Sequence, residues 1–222
     1  MAEMIKLTAS DGFKLAAWRA APAGKPIGGM VVLQEIFGVN DHMKKVTERF
    51  AAQGYLAICP AMFDRAERNA DLGYGPDDMT KGRALRMATT LDQNLADIAG
   101  AVSAAAAGGK VGVVGFCWGG ALAFMAAARL SGISAAVGYY GGGIAAALDE
   151  RPKVPVMLHF GAEDGHIPMS DVAKIRAAFP AMPIYDYPAG HGFNRDGNAA
   201  YEEASAKIAR ERSLKFFKEN MG

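Results

Sequence analysis

The sequence predicts an α/β fold: a mainly parallel sheet with helices on both faces. Short apolar runs alternate with stretches of helical spacing along most of the 222 residues. Strand, helix and strand repeated this often imply parallel pairing, with the sheet covered above and below. No Pro/Ser-rich linker, internal repeat or low-complexity tract interrupts the pattern, so one domain spanning 1–222 is expected.

Residues 3–8 and 13–20 read as two short strands around Ser10-Asp11-Gly12, an opening hairpin. Met30 to Gln34 is a strand of the buried type. Residues 41–53 have helical spacing, with Met43, Val46 and Phe50 on one side and Gly54 as the stop. Tyr55 to Cys59 is a strand ended by Pro60. Residues 61–78 show no period and read as a surface excursion, whereas 80–106 read as helical and Ala-rich. Lys110 to Phe116 is the clearest central strand, with a helix over 118–130. Strands follow at 135–140, 154–160 and 182–187, with helices over 169–179 and 199–219 and a short helical piece at 144–149.

Composition excludes several classes. With 51% hydrophobic residues the chain is not a disordered polar one, and no run approaches the roughly 18 apolar residues of a membrane span. Lys and Arg number 24 against 23 Asp and Glu, a balance that favours neither nucleic acid nor an anionic membrane. The start lacks the basic-then-apolar pattern of a signal peptide. Two cysteines are too few for a disulfide framework, so a reduced, cytoplasmic protein is expected, in which a thiol is free for chemistry. Cys59 before Pro60 reads as core. Oligomeric state has no sequence signal.

Gly115-Phe-Cys-Trp-Gly119 has the form G-x-C-x-G between a strand and a helix, the nucleophile-elbow pattern with Cys in place of Ser. The turn strains its central residue, and side chains two positions away would collide with strand and helix. Cys117 then stands at a helix N-terminus, where the dipole and free N–H groups favour a thiolate. The Trp118 N–H is placed to receive an oxyanion. Alternatively, Cys117 is a small packing residue beside a Gly-rich turn.

A thiol nucleophile needs a base and a group that orients the base. Of four histidines, His42 starts a polar helix and is expected to face solvent, His159 lies within a strand, and His166 falls early in the chain. His191, in the loop after the last strand, is the candidate. Asp164, after the preceding strand, is the acid, favoured over Glu163 by its place before Pro168. The order Cys117, Asp164, His191 is that of the α/β-hydrolase fold, here with no large lid domain.

These residues resemble the dienelactone hydrolase family over nearly the whole chain. The resemblance is strongest in 34–40, 115–124, 137–141 and 189–195. It implies hydrolysis of a small enol-lactone, dienelactone to maleylacetate, with no cofactor or metal. Other family members act on other esters, lactones or thioesters. It assigns Cys117, Asp164 and His191 to the triad and Glu35 to a glutamate that contacts the resting thiol and swings away on binding. It further implies an oxyanion hole of the Ile36 and Trp118 N–H groups, a pocket wall at Tyr139, and a carboxylate-binding arginine at Arg195. Arg83 and Arg86 lie near the segment of a second such arginine. Gly192 stands where the family often has Ser. An anionic Glu35 beside the thiol would disfavour the thiolate and spare the free enzyme oxidation and alkylation. A second enzymatic reading keeps the triad and changes the ester or thioester; a third makes Cys117 a reversible thiol sensor.

Overall fold

The computed structural model describes residues 1–222. In chain order the elements are β1 (Ala2–Thr8), β2 (Lys14–Ala20), β3 (Gly28–Leu33), α1 (Asp41–Ala52), β4 (Tyr55–Pro60), α2 (Pro76–Met87), α3 (Leu91–Ala105), β5 (Val111–Phe116), α4 (Trp118–Arg129), β6 (Ala135–Tyr139), β7 (Val156–Gly161), α5 (Met169–Ala178), β8 (Ile184–Tyr187) and α6 (Glu203–Met221). They form one sheet in the order β1-β2-β4-β3-β5-β6-β7-β8. The opening hairpin β1–β2 and the β2–β4 pair are antiparallel; every later pair is parallel.

Every residue of β3 through β7 is buried, as strands covered on both faces must be. Two adjacent glycines of β3 show which helices lie where. A Cβ on Gly28 would meet Met221 of α6, and one on Gly29 would meet Ala105 of α3. Successive side chains of a strand point to opposite faces, so α6 and α3 lie on opposite sides of the sheet. Helix α1 joins α6 through the edge-on pair Phe50–Phe217, while α4 packs with α3. The loops at the C-terminal ends of the parallel strands are left to build a site.

Four expectations need correction. The helical stretch over 80–106 is two helices, because Thr90 caps α3: its hydroxyl accepts from Gln93 N and the Gln93 side chain accepts from Thr90 N. That reciprocal pair satisfies two orphan donors and ends any continuation from α2. The excursion over 61–78 is not all surface, for Met62 and Phe63 are buried and Phe63 stacks on Trp118 at 5.4 Å. Its end is already the first turn of α2. The last helix starts at Glu203 because the Glu202 carboxylate accepts from the N–H groups of Ala204 and Ser205. The piece at 144–149 is a single 3-10 turn, Ile144–Ala146. Cys59 is fully buried, as expected of core, and burial pushes its thiol up to about 12. No helix is long and apolar enough to cross a membrane.

Candidate active site

Strand β5 delivers the chain into Cys117, whose φ of 55° and ψ of −118° are a strained conformation for a residue with a Cβ. Contact explains the flanking glycines. A Cβ on Gly115 would lie 1.9 Å from the Gly119 carbonyl oxygen, and one on Gly119 would lie 2.5 Å from the carbonyl oxygens of Leu33 and Gln34. The elbow is pinned from both sides: Cys117 N donates to Tyr139 O at 3.0 Å, and Gly120 N donates to Cys117 O at 2.9 Å.

The three residues picked from chain order meet in space. His191 Nε2 lies 3.1 Å from Cys117 Sγ, and His191 Nδ1 lies 2.7 Å from Asp164 Oδ2. The other carboxylate oxygen of Asp164 accepts from the N–H groups of His166 and Ile167, at 2.8 and 3.2 Å, which fixes its orientation. Burial works against the Asp164 charge, yet His191 and these two donors hold its carboxyl below the ordinary range. For His191 burial opposes the cation, but the bonds and charges of Asp164 and Cys117 outweigh it and push the ring up to about 10. An imidazolium at this place donates Nε2–H to the Cys117 sulfur.

Cys117 and His191 open into a cavity of about 420 Å³ that Ile36, Trp118, Arg83, Arg86 and Arg195 also line. Trp118 heads α4, where first-turn N–H groups have no intrahelical partner. The Ile36 N–H has no partner within the chain. Ile36 is held by two neighbours that the sequence did not single out. Gln34 donates from its side-chain amide to Glu35 O and accepts from Met62 N, tying the loop after β3 to the loop after β4. Gly82 in the middle of α2 has its Cα against the Ile36 carbonyl, where a Cβ would come within 1.9 Å. A glycine inside a helical run was the available signal for that close approach.

Arg83 and Arg86 both reach the cavity from α2, are exposed, and pair with no carboxylate. Arg195 is different. Its Nε and Nη2 each donate to a Glu35 carboxylate oxygen at 2.8 Å, and Glu35 is only 1% exposed. Glu35 therefore contacts Arg195 and not the thiol, whose hydrogen-bond partner is His191. Glycine at position 192 fits this arrangement: its φ is 81°, and a Cβ there would press on the Arg195 guanidinium at 3.0 Å.

Tyr139 does not line the catalytic cavity. It is buried behind the elbow, hydrogen-bonded to Ser213 at 2.6 Å. Its neighbour Tyr140, with φ of 38°, turns toward the site instead and places its ring 5.1 Å from that of His191. The chain leaves β6 between the two residues, so the second one faces the triad. His42 is not at the surface: it is buried on the inner side of α1 against Phe116, neither ring nitrogen has a partner, and burial lowers it to about 4. His159 is a satisfied core residue, bonded to Tyr187 and Ser213. His166 sits edge-on to His191 at 5.2 Å, without a place in the triad.

Comparison with known proteins agrees with this architecture. The model of the dienelactone hydrolase family matches residues 15–221. A carboxymethylenebutenolidase of Pseudomonas putida is 34% identical over an alignment covering 97% of this chain and 96% of its own. A carboxymethylenebutenolidase 1 of Cupriavidus pinatubonensis is 28% identical, covering 96% and 95%. A crystal structure from Klebsiella pneumoniae, provisionally named a dienelactone hydrolase, matches with a TM-score of 0.84 and 33% identity, covering 97% of this chain and 99% of that one. An esterase of Pyrococcus furiosus, at 15% identity and a TM-score of 0.72 over 100% and 93%, shares the fold.

Proposed function

The chain belongs to the dienelactone hydrolase family and is a carboxylic ester hydrolase, and from that premise we propose that it opens a small enol-lactone, dienelactone to maleylacetate, with Cys117, His191 and Asp164. The observation that carries this reading is the unbroken path Sγ–His191–Asp164, at 3.1 and 2.7 Å, standing at the edge of a cavity with unpaired arginines.

The Cys117 thiolate adds to the lactone carbonyl, forming an S–C bond and an oxyanion that the Ile36 and Trp118 N–H groups receive. Losing one such donor costs roughly 3 kcal/mol in barrier. Collapse breaks the ring C–O bond and expels an enolate, which takes a proton from His191. In the thioester that results, Cys117 no longer carries the charge that helped hold His191 protonated. The neutral ring, oriented by Asp164, then takes a proton from water as the water attacks the thioester, and collapse frees Cys117. An enolate leaves readily, which suits a thiol nucleophile.

A substrate carboxylate meets Arg83 and Arg86 from α2, since Arg195 is held by Glu35; Arg195 joins only by exchanging that partner. A second reading, another small ester or thioester, is favoured by the same observation, because the committed Arg195 leaves the exposed α2 arginines to set anion selectivity. The decisive assay is spectrophotometric turnover of the cis and trans dienelactones against a simple aryl ester. The proposal expects lactone turnover that drops at least about 10³-fold in Cys117→Ala. Wild-type rates in that variant reject the nucleophile, and turnover of the aryl ester alone selects the second reading.

A further inference from the structure

The catalytic cavity has a neighbour. A second cavity of about 310 Å³ shares Arg86, Trp118, Gly142 and Gly143 with it. Its walls come from the α2–α3 junction, α4 and the 3-10 turn, and Leu91, Leu122, Met125 and Ile144 make them largely apolar. One residue is out of keeping. Asn94 of α3 lines this cavity and is only 3% exposed, yet its side-chain amide makes no hydrogen bond in the fold and its Oδ1 is buried without a partner. Buried amides are normally satisfied, and an unmade bond in such a place is costly until something supplies it.

We infer that this second cavity is the acyl pocket of the enzyme, and that it takes an acyl chain ending in a hydrogen-bonding group. The inference rests on the Cys117–His191 reading above. In ester cleavage the leaving oxygen takes its proton from His191, so the alcohol portion lies on the His191 side of the sulfur. The second cavity has none of His191, His166 or Arg195 in its lining and joins the first across Trp118. The acyl portion is the part that extends there. Apolar walls accept its methylenes, and the unbonded Asn94 Nδ2–H donates to a hydroxyl or carboxamide oxygen at its end. Esters with such an acyl chain are a further substrate class for the same triad, beside the small lactone.

The test uses 4-nitrophenyl esters of acetic, hexanoic and 6-hydroxyhexanoic acids with the full-length protein. For the wild type, kcat/KM rises along that series, with the hydroxylated ester about tenfold above hexanoate. Asn94→Leu inverts the last step and leaves acetate within about twofold. Ala147→Trp, which fills only the second cavity, raises KM for both longer esters about tenfold and spares acetate. Acetate as the best wild-type substrate, or variants that change all three esters alike, overturns the acyl pocket. Acetate turnover that persists in Cys117→Ala overturns the triad reading instead, so the two failures are distinguishable.

Discussion

Glu35 and Arg195 stand 160 residues apart in the chain and meet in a two-point ion pair beside the nucleophile, both bonds at 2.8 Å. Their side chains are 1% and 9% exposed. The pair is a structural commitment, because without Arg195 the Glu35 charge has no water to fall back on. Arg195→Met strands the Glu35 carboxylate and is expected to lower unfolding free energy by about 3–5 kcal/mol. The apolar double variant Glu35→Leu/Arg195→Met is expected to recover most of that loss. Denaturant titration of the two variants measures both; equal losses would show that the pair itself, and not the stranded charge, sets the stability.

Because Glu35 faces Arg195, it is not shielding the thiol. Glu35→Gln is therefore expected to leave the iodoacetamide alkylation rate of Cys117 within about twofold of wild type, the neutral amide still reaching the guanidinium. An acceleration of about tenfold or more would revive a Glu35 gate over the resting sulfur.

The triad carries a pH signature with a definite sign. His191 is raised from 6.5 to about 10, so its contribution to stability is complete below pH 6.5 and is lost as pH climbs toward 10. Asp164 is lowered from 3.8, so its contribution is present above that pH and is lost as pH falls below it. Asp164→Asn removes the second effect and weakens the first, since Cys117 still supports the His191 cation. The stability gap between variant and wild type is expected to be widest between about pH 4 and 6.5 and to narrow in alkali. In NMR the wild-type His191 ring should titrate far above 6.5 and move down in the variant; a wild-type midpoint near 6.5 sinks the account.

Gly82 touches the oxyanion loop from the back. Gly82→Ala forces a Cβ onto the Ile36 carbonyl, and either α2 or the Ile36 peptide must shift. Displacing that N–H weakens transition-state binding more than ground-state binding, so kcat is expected to fall at least about tenfold with KM little changed. Alanine otherwise favours a helix, which makes an unaltered kcat with raised stability the contrary outcome.

The elements of this fold were legible because they are local. Continuous apolar runs mark β3 through β7, and the glycines around Cys117 mark a turn whose contacts reach only a few residues along the chain. The order Cys117, Asp164, His191 could be read for the same reason: each side chain sits just beyond the end of a strand. The Thr90–Gln93 cap was equally local and divides what periodicity alone joined. Chain order stops there.

Partners chosen across the sheet were decided only in three dimensions. Glu35 lies on one loop and Arg195 on another, and their meeting depends on how far β3 and β8 deliver those loops. Tyr139 and Tyr140 are adjacent in sequence, and the positive φ at the end of β6 decides which one faces His191. His42 reads as polar and exposed until the packing of α1 on Phe116 buries it. Local patterning along the chain set the sheet, the elbow and the order of three reactive groups; packing in three dimensions set who pairs with whom, because those contacts carry no periodicity.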